Sequence, residues 1–390
     1  MPTFYNFKQD GNTYSFDDVF IPADAFRQGN LWTWGNNANG ELGTNDTTIR
    51  CTPVTTFAGG ANWKQVSRTS NHTVAIKTDG TLWAWGYNGT GELGTNGGGS
   101  KVTPVTTFAG GTNWKQSSCG WFHTAAIKTD GTLWTWGSNG YGQLGTNGGS
   151  SNVPVQVFGN HTNWKQVSCG ILETAAIKTD GTLWTWGRNP FGGLGTNDTT
   201  GRATPITTFA GGTNWKQITT GYNYITAIKT DGTLWTWGLN SVGQLGINDT
   251  TNRNTPVQVF GNHTNWKSVG DSINFSSISM AIKTDGTLWT WGSNGSGQLG
   301  INDTTNRATP VTTFAGGTNW KSVGGGNQTA AIKTDGTLWT WGSNGYGQLG
   351  TNDTTSRSTP VTTFAGGTNW KQVSCEQYGP AAIEYIDPVL

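Results

Sequence analysis

Histidine and glutamate are the side chains that general acid–base chemistry would need, and histidine is scarce in this 390-residue sequence. The four histidines are His72, His123, His161 and His263. His123 and Glu173 occupy similar positions in successive stretches of sequence and form an acid–base pair only by coincidence. His161 and His263 each lie in a turn-like Gly-Asn-His-Thr-Asn-Trp segment. We therefore predict no catalytic residue and no enzymatic activity.

The four cysteines follow no metal-binding or disulfide pattern. Cys119, Cys169 and Cys375 occur at the same place in three repeated segments, shortly before an Ala-Ala-Ile run. Equivalent positions of separate repeats do not normally come within the distance that a disulfide spans. No Cys-x-x-Cys or Cys/His spacing indicates zinc. The prediction is small thiols that are buried or line a shaft, with no metal site and no cofactor.

Two tryptophan-containing anchors repeat along the chain with a period near 50 residues. Leu-Trp-x-Trp-Gly occurs seven times, starting at Leu31, and Asn-Trp-Lys also occurs seven times, with its first tryptophan at Trp63. Together the anchors use all but one of the 22 tryptophans; Trp121 lies outside them. Such regular spacing indicates a solenoid or a propeller rather than unrelated domains.

Each period contains four short segments with strand character. A Thr-Pro-Val-Thr-Thr-Phe run, a Trp-Lys-Gln-Val-Ser run, an Ala-Ala-Ile-Lys-Thr run and a Thr-Leu-Trp-Thr-Trp-Gly run are rich in β-branched and aromatic residues. Asp-Gly separates the last two and predicts a hairpin, which we assign to a type I′ turn. Four antiparallel strands and a long Gly-rich connection are typical of one blade of a β-propeller.

The two ends of the chain complement each other. The C-terminal segment supplies three blade strands, at 359–364, 369–374 and 380–386, and then stops before a Leu-Trp-x-Trp-Gly strand. Residues 29–35 contain such a strand with no partners before it. Pairing of the two ends would remove exposed strand edges. The prediction is an all-β, seven-bladed propeller that residues 29–35 close by completing the C-terminal blade.

The stretch His-Thr-Ala-Ala-Ile-Lys-Thr-Asp-Gly-Thr-Leu-Trp-Thr-Trp-Gly-Ser-Asn-Gly-Tyr-Gly-Gln-Leu-Gly, from His123, resembles the regulator of chromosome condensation repeat family. The resemblance extends from residue 27 to 386 and implies a seven-bladed propeller. The family's histidine is kept only at His72 and His123; Glu173 and Gln328 stand near that place elsewhere. The founding member is a nucleotide exchange factor for Ran that docks on nucleosomes through a basic tail and an inserted wedge. Because this chain has neither feature, only the scaffold carries over.

Strand order places the connections on two faces of the disc. The Asp-Gly and Ala-Gly-Gly turns share one face, the constant face, where the blades barely differ. The other, the variable face, carries the Gly-rich connections and seven loops that differ between blades. We predict binding through loop residues on the variable face, with packing between blades or in the shaft as the alternative. These residues are Trp121, Phe122, His123, Ile171, Leu172, Glu173, Tyr222, Tyr224, Asn274 and Phe275.

Residues 1–26 match no part of the repeat and are assigned to a separate segment preceding the propeller of residues 27–390. Asp10-Gly11 between alternating runs predicts a small hairpin, and one lysine with four aspartates gives the segment a charge of −3. The segment is either a cap on the propeller or a docking peg for a larger assembly. In the second case its contacts are Phe4, Tyr5, Phe7, Tyr14, Phe16 and Phe20.

Composition limits the possible partners. The net charge is +1, which gives no electrostatic footprint for nucleic acid. No apolar run approaches the length of a bilayer span, and the polar start is not typical of a secretory signal. We expect no nucleic-acid partner and no membrane insertion.

Three functional hypotheses follow. Near-identical repeats with an appended N-terminal segment resemble phage virion proteins, so the first hypothesis is a non-enzymatic virion component of a tail, fibre or capsid. It would bind other virion proteins through residues 1–26 and a host receptor or glycan through the variable face. The second is a cytosolic propeller that binds a protein partner, such as a small GTPase. The third is a glycan-binding propeller in which Trp121 and the loop tyrosines stack on sugars.

Overall fold

The computed structural model describes residues 7–9, 12–14, 28–270 and 277–386, which form β-strands and connecting turns. Strands β1 (Phe7–Gln9) and β2 (Asn12–Tyr14) pair in antiparallel orientation, which agrees with the hairpin that the sequence predicts. The other strands form seven sheets of four strands each. The prediction of a seven-bladed propeller with four-stranded antiparallel blades is confirmed.

The strands of each blade follow one another from the central shaft outward. Blade 1 comprises β5 (Trp63–Arg68), β6 (His72–Lys77), β7 (Leu82–Gly86) and β8 (Lys101–Thr106). Blade 2 comprises β9 (Trp114–Cys119), β10 (His123–Lys128), β11 (Leu133–Gly137) and β12 (Ser151–Gln156). Blade 3 comprises β13 (Trp164–Cys169), β14 (Glu173–Lys178), β15 (Leu183–Gly187) and β16 (Arg202–Thr207). Blade 4 comprises β17 (Trp215–Thr220), β18 (Tyr224–Lys229), β19 (Leu234–Gly238) and β20 (Arg253–Gln258). Blade 5 comprises β21 (Trp266–Val269), β22 (Ile278–Lys283), β23 (Leu288–Gly292) and β24 (Arg307–Thr312). Blade 6 comprises β25 (Trp320–Gly325), β26 (Gln328–Lys333), β27 (Leu338–Gly342) and β28 (Arg357–Thr362). Blade 7 comprises β29 (Trp370–Glu376), β30 (Gly379–Ile386), β3 (Gln28–Gly35) and β4 (Arg50–Thr55).

The ring is closed by the chain ends, as predicted, but each Thr-Pro-Val strand belongs to a different blade from the one the sequence suggested. We assigned this strand to the blade that follows it; it is instead the outermost strand of the blade before it. The terminal blade therefore takes two strands from each end of the chain, rather than three and one. The Gly-rich connection explains the difference. In blade 2 the side chain of Asn139 donates to Gly148 O (2.7 Å) and accepts from Leu144 N (2.9 Å), which folds the connection back on itself.

The hydrophobic core lies between blades rather than within them. Each of the seven interfaces holds one cluster of buried residues, to which both neighbouring blades contribute. Between blades 1 and 2, Ile76 and Leu82 pack against Trp114 and Trp136 of the next blade. The rings of Trp114 and Trp136 meet at 6.2 Å between centroids, in an edge-to-face arrangement that aromatic pairs favour. The repeated tryptophans are thus the packing elements of the ring.

The Asp-Gly hairpins are of a different turn type from the one predicted. In blade 1, Gly80 N donates to Lys77 O (2.9 Å), and Gly80 has a φ of +80°. Asp79 does not have a positive φ, so the turn is type I followed by a glycine bulge rather than type I′. The Asp79 carboxylate accepts from Thr81 N at 2.9 Å, which favours this conformation.

A side chain of blade 1 completes the seam of the ring. The pairing of β3 with β30 ends at Thr33 opposite Ala381, whereas the corresponding pairing in other blades runs two residues further. The next seam residue is Pro380, which has no N–H to donate. Arg68 Nη1 donates instead to Trp34 O and to Pro380 O, at 2.9 Å each. Arg68 is fully buried and joins strands from both ends of the chain.

Candidate functional site

The loops that follow the innermost strands lie on the same face as the Gly-rich connections. In blade 2, Ser138 N donates to Phe122 O at 2.7 Å, and the same bond recurs in blade 3 between Arg188 N and Leu172 O at 2.9 Å. On the opposite face, Trp114 N donates to Gly80 O at 3.0 Å, which ties the Ala-Gly-Gly connection to the Asp-Gly turn. The two faces therefore differ in the way that strand order implies.

Four of the predicted binding residues form a partly exposed apolar patch on the variable face. Trp121 and Phe122 stack in parallel, with ring centroids 5.5 Å apart and an angle of 4° between the planes. Leu172 and Tyr222 occupy the corresponding loops of blades 3 and 4, and all four side chains are half-buried. Asn71 of blade 1 donates to Trp121 O at 3.2 Å and helps to hold that loop. These four residues are called the aromatic patch below.

Three other predicted binding residues are interior. His123, Glu173 and Tyr224 each begin the second strand of a blade and are buried, so they are not available to a partner. His123 Nε2 is bonded to Thr174 Oγ1 at 2.9 Å, and Glu173 Oε1 accepts from Asn223 N at 3.0 Å. The Tyr224 hydroxyl donates to the main chain of blade 5. Each bridges to the next blade, because the first residue of this strand points across the blade interface.

Burial also shifts the pKa values of the histidine and glutamate side chains. Burial raises the pKa of Glu173 to about 7, although the N–H groups of Leu172 and Asn223 that bond its carboxylate act in the opposite direction. Burial lowers the pKa of His72 and His123 to about 3, so both imidazoles are neutral at physiological pH. The predicted coincidental pair of His123 and Glu173 therefore consists of two structural bridges.

The remaining predicted site residues have mixed outcomes. Ile171 is buried in its loop. Asn274 and Phe275 lie outside the residues that the structure describes, as do Phe4, Tyr5, Phe16 and Phe20. Of the proposed docking contacts, only the main chains of Phe7 and Tyr14 fall within described strands. A docking role for residues 1–26 stays a prediction.

A ring of glutamines lines the shaft, and the sequence patterns did not predict it as a site. Gln65 of blade 1 donates to Ser117 O of blade 2 at 2.9 Å and accepts from Ser117 N at 3.0 Å. A cavity of about 240 Å³ lies among these side chains. The recurrent Trp-Lys-Gln run was the available signal. The same two hydrogen bonds to the main chain of the next blade, one donated and one accepted, are made by Gln116, Gln166, Gln217 and Gln372.

The described ranges contain neither a cluster of metal ligands nor a membrane-spanning helix. Within them, no group of three or more His, Cys, Asp or Glu side chains is placed to hold a metal ion. The four cysteines, which all lie within the described ranges, form no disulfide, and Cys119, Cys169 and Cys375 are buried, as predicted. In the same part of the chain, no helix is long and apolar enough to cross a membrane.

Two family profiles match the chain. The RCC1-like domain profile matches residues 25–278, about two thirds of the chain, and the regulator of chromosome condensation (RCC1) repeat profile matches residues 285–332 and 335–379. These matches cover the propeller almost from end to end. They agree with the resemblance that the repeat sequence carries.

Curated relatives point the same way. The ultraviolet-B receptor UVR8 of Arabidopsis thaliana is 31% identical over 288 residues, covering 73% of this chain and 53% of UVR8. The RCC2 homologue of Danio rerio is 31% identical over 122 residues, covering 31% of this chain and 25% of that protein. This chain thus spans about half the length of UVR8 and less of the RCC2 homologue.

Solved structures share the fold at low sequence identity. Human WBSCR16 superposes with a TM-score of 0.79 at 20% identity, covering 92% of this chain and 99% of that one. Yeast RCC1 (Prp20), in a structure bound to Kap60, superposes with a TM-score of 0.78 at 18% identity, covering 93% and 90%. A second structure of Prp20p from Saccharomyces cerevisiae, reported with its binding to Gsp1p and histones, gives 0.77 at 18% identity, covering 92% of each chain.

Proposed function

Because the chain belongs to the RCC1-like domain family, we propose that it is a protein-binding propeller whose variable face receives the partner. The aromatic patch of Trp121, Phe122, Leu172 and Tyr222 is the observation that carries this proposal. Similar proteins support a protein-binding role, since Prp20 is described as bound to Kap60 and as binding Gsp1p and histones. They favour this hypothesis over a virion component.

The patch has the chemistry of an interface core. Aromatic side chains supply a large contact area at little cost in side-chain entropy, and they dominate the energetics of protein interfaces. Trp121 and Phe122 stack on each other, so their rings are held before a partner arrives. A preorganised surface loses less entropy on binding than a mobile one. Residues of the patch come from the corresponding loops of three successive blades, on one face of the ring.

The test is affinity capture with quantitative mass spectrometry, followed by direct measurement of binding for each captured protein. The informative variant is Trp121→Ser with Phe122→Ser. Loss of two central aromatic groups is expected to weaken binding by about 30-fold or more. A matched control is Phe57→Ser with Phe108→Ser, since both phenylalanines are exposed beyond the outermost strands. This control should bind with wild-type affinity.

The proposal fails if every captured protein binds the Trp121/Phe122 variant as tightly as wild type. A partner lost only from the Phe57/Phe108 variant would also contradict it and would place binding at the outer rim. Circular dichroism of both variants checks that the fold is intact.

The identity of the partner separates the remaining hypotheses. A small GTPase would be revealed by faster nucleotide release in the presence of the wild-type chain. A virion partner would be revealed by co-sedimentation with particles, with residues 1–26 protected from protease only in the particle. Virion and cytoplasm stay the two predicted locations, and glycan recognition by Trp121 stays the third hypothesis.

A further inference from the structure

The Gly-rich connections of five blades are closed by an ion pair. In blade 3, Arg202 Nη2 lies 2.6 Å from Asp198 Oδ2, and the Asp198 carboxylate also accepts from Thr200 N at 2.9 Å. This arrangement ties the Gly-rich connection to the first residue of the outermost strand. Equivalent pairs are Asp46–Arg50, Asp249–Arg253, Asp303–Arg307 and Asp353–Arg357.

Blades 1 and 2 have glycine where the other blades have this aspartate. Gly97 and Gly148 occupy the position, as their carbonyls show: each accepts from the loop asparagine at 2.7 Å. In blade 2 the arginine is missing too, because Ser151 pairs opposite Gly137 at the place where the five ion-paired blades have arginine and blade 1 has Lys101. Both halves of the ion pair are therefore absent from blade 2.

An open cleft occupies this part of blade 2. Its volume is about 470 Å³, which falls within the range of small-molecule binding sites. One wall is the Gly-rich connection of blade 2, and the other is the outermost strand of blade 3. The lining residues are Asn139, Gly140, Tyr141, Gly142, Thr146, Asn147, Gly148, Gly201 and Ala203.

Tyr141 supplies an aromatic surface to the cleft. Its side chain is 54% exposed, and the Arg188 guanidinium lies over the ring, 5.4 Å from the centroid. A cation over one face holds the ring in position. Tyr141 N donates to the side chain of Gln143 at 2.9 Å, which fixes the main chain at this point. The ring is thus both accessible and oriented.

Other blades lack this combination. Thr90 stands in the corresponding position of blade 1. Tyr346 stands there in blade 6, but it packs edge-to-face against Tyr378 at 5.5 Å, and the Asp353–Arg357 ion pair closes its connection. Among the residues that the structure describes, only blade 2 joins an exposed tyrosine to a connection without the ion pair.

We propose that the Tyr141 cleft binds a pyranose sugar. The lining residues carry no charge but offer amide, hydroxyl and main-chain groups beside one aromatic ring. That set matches a ring with an apolar C–H face and a rim of hydroxyl groups. Glycines allow the sugar to approach the main chain closely. A phosphate or carboxylate ligand is less well matched, because Arg188 lies against the tyrosine ring rather than among the lining residues. The site is separate from the aromatic patch and does not rest on the proposed protein partner.

Saturation-transfer NMR of the full chain tests the proposal, with the methyl glycosides of glucose, galactose and N-acetylglucosamine as probes. At least one sugar is expected to show transfer to its ring protons. Tyr141→Ala should weaken binding of that sugar by about tenfold, since the stacking surface is lost. Gly148→Asp with Ser151→Arg should also weaken transfer, because it adds two charged side chains at the cleft; they are three residues apart, whereas the paired residues of other blades are four apart.

The matched control is Tyr346→Ala, which removes the equivalent tyrosine from blade 6 and should leave sugar binding unchanged. Absence of transfer to all three sugars with the wild-type chain overturns the proposal. So does a signal that Tyr141→Ala leaves intact. Partner capture by Tyr141→Ala should match wild type, so failure of the sugar site and failure of the proposed function are distinguishable.

Discussion

Two arcs of the ring are joined differently around the shaft. From blade 7 through blades 1, 2, 3 and 4 to blade 5, each interface has a glutamine that makes two hydrogen bonds to the next blade's main chain. At the interfaces of blade 5 with 6 and of blade 6 with 7, Ser268 and Ser322 stand in that position. The shorter serine makes neither bond in the structure.

The serine arc is also the less tightly covered one. Val323 and Val373, which face the two serine positions, are 8% and 6% exposed, compared with 1% for Val66 in the glutamine arc. Val269, which Gln217 bonds within the glutamine arc, is already 7% exposed. The innermost strand of blade 5 has four residues, whereas that of blade 1 has six. Exposure of the shaft wall therefore rises from blade 5 onward, starting at an interface that still has its glutamine.

Near-identical repeats therefore need not make equal interfaces. Each blade contacts only its two neighbours, so the stability of a repeat array is approximately a sum of blade and interface contributions. A glutamine or a serine at the shaft position of each blade changes the contribution of one interface. We infer that the interfaces of blades 5, 6 and 7 are the weakest of the ring.

The largest expected effect is at the seam in the glutamine arc. Arg68→Ala should lower the free energy of unfolding by about 3 kcal/mol, because Trp34 O and Pro380 O lose a buried charged donor. Chemical denaturation measures the loss. Pro380→Thr restores an N–H at the seam, so the double variant should recover part of the stability. Equal losses in Arg68→Ala and the double variant would contradict the compensation.

A pH-dependent effect of about 3 kcal/mol is expected from Glu173. Its pKa in the folded state is about 7, above the ordinary 4.5, so the folded protein keeps a proton that the unfolded chain has lost. The contribution of Glu173 to wild-type stability should therefore fall as pH rises from about 4.5 to 7. Glu173→Gln removes this dependence. The free energy of unfolding of the variant should therefore increase relative to that of wild type as pH rises across that interval.

Denaturation of both proteins at several pH values checks this, and a constant difference between them would contradict it. The histidines give the opposite slope. His72 and His123 have folded pKa values of about 3, below the ordinary 6.5, so stability falls as pH drops from 6.5 towards 3 in both proteins. The corresponding residues of blades 5 and 6, Ile278 and Gln328, do not titrate, so this pH response belongs to the glutamine arc.

Shortening one glutamine should convert a strong interface into a weak one. Gln116→Ser removes both bonds to Val167 and is expected to cost about 1–2 kcal/mol in the free energy of unfolding. Hydrogen exchange should show faster opening of the inner strands of blades 2 and 3. Lys115→Ser, at the exposed neighbouring position, is the control and should have little effect.

The reverse substitution should give the smallest change. Ser322→Gln places a glutamine opposite Val373 and is expected to add about 1 kcal/mol, by analogy with Gln65 and Ser117. Thermal unfolding measures the gain. A destabilised Ser322→Gln variant would show that the serine arc has a different strand spacing, and that glutamine is not the cause of the difference.

Much of the fold follows from the sequence because its signals are local and repeated. The spacing of Leu-Trp-x-Trp-Gly predicts seven blades, and Asp-Gly between alternating runs predicts the hairpins. The signals for the site are weaker. Trp121 and Phe122 are recognisable as loop aromatics, whereas the cleft at Tyr141 depends on what its neighbours lack. The alternation of apolar and polar residues does not show that Phe122 stays in the loop, partly exposed, whereas His123 begins a strand and is buried.

The sequence by itself determined the number of blades, the strand segments, the closure of the ring by its two ends and the tryptophan core. Tertiary structure decided which blade each Thr-Pro-Val strand joins and which way His123, Glu173 and Tyr224 point. It also decided that Arg68 completes the seam at Pro380, 312 residues away in the chain. The physical reason is that the first set depends on propensity and periodicity within one repeat. The second depends on contacts across blade interfaces, which no single repeat encodes.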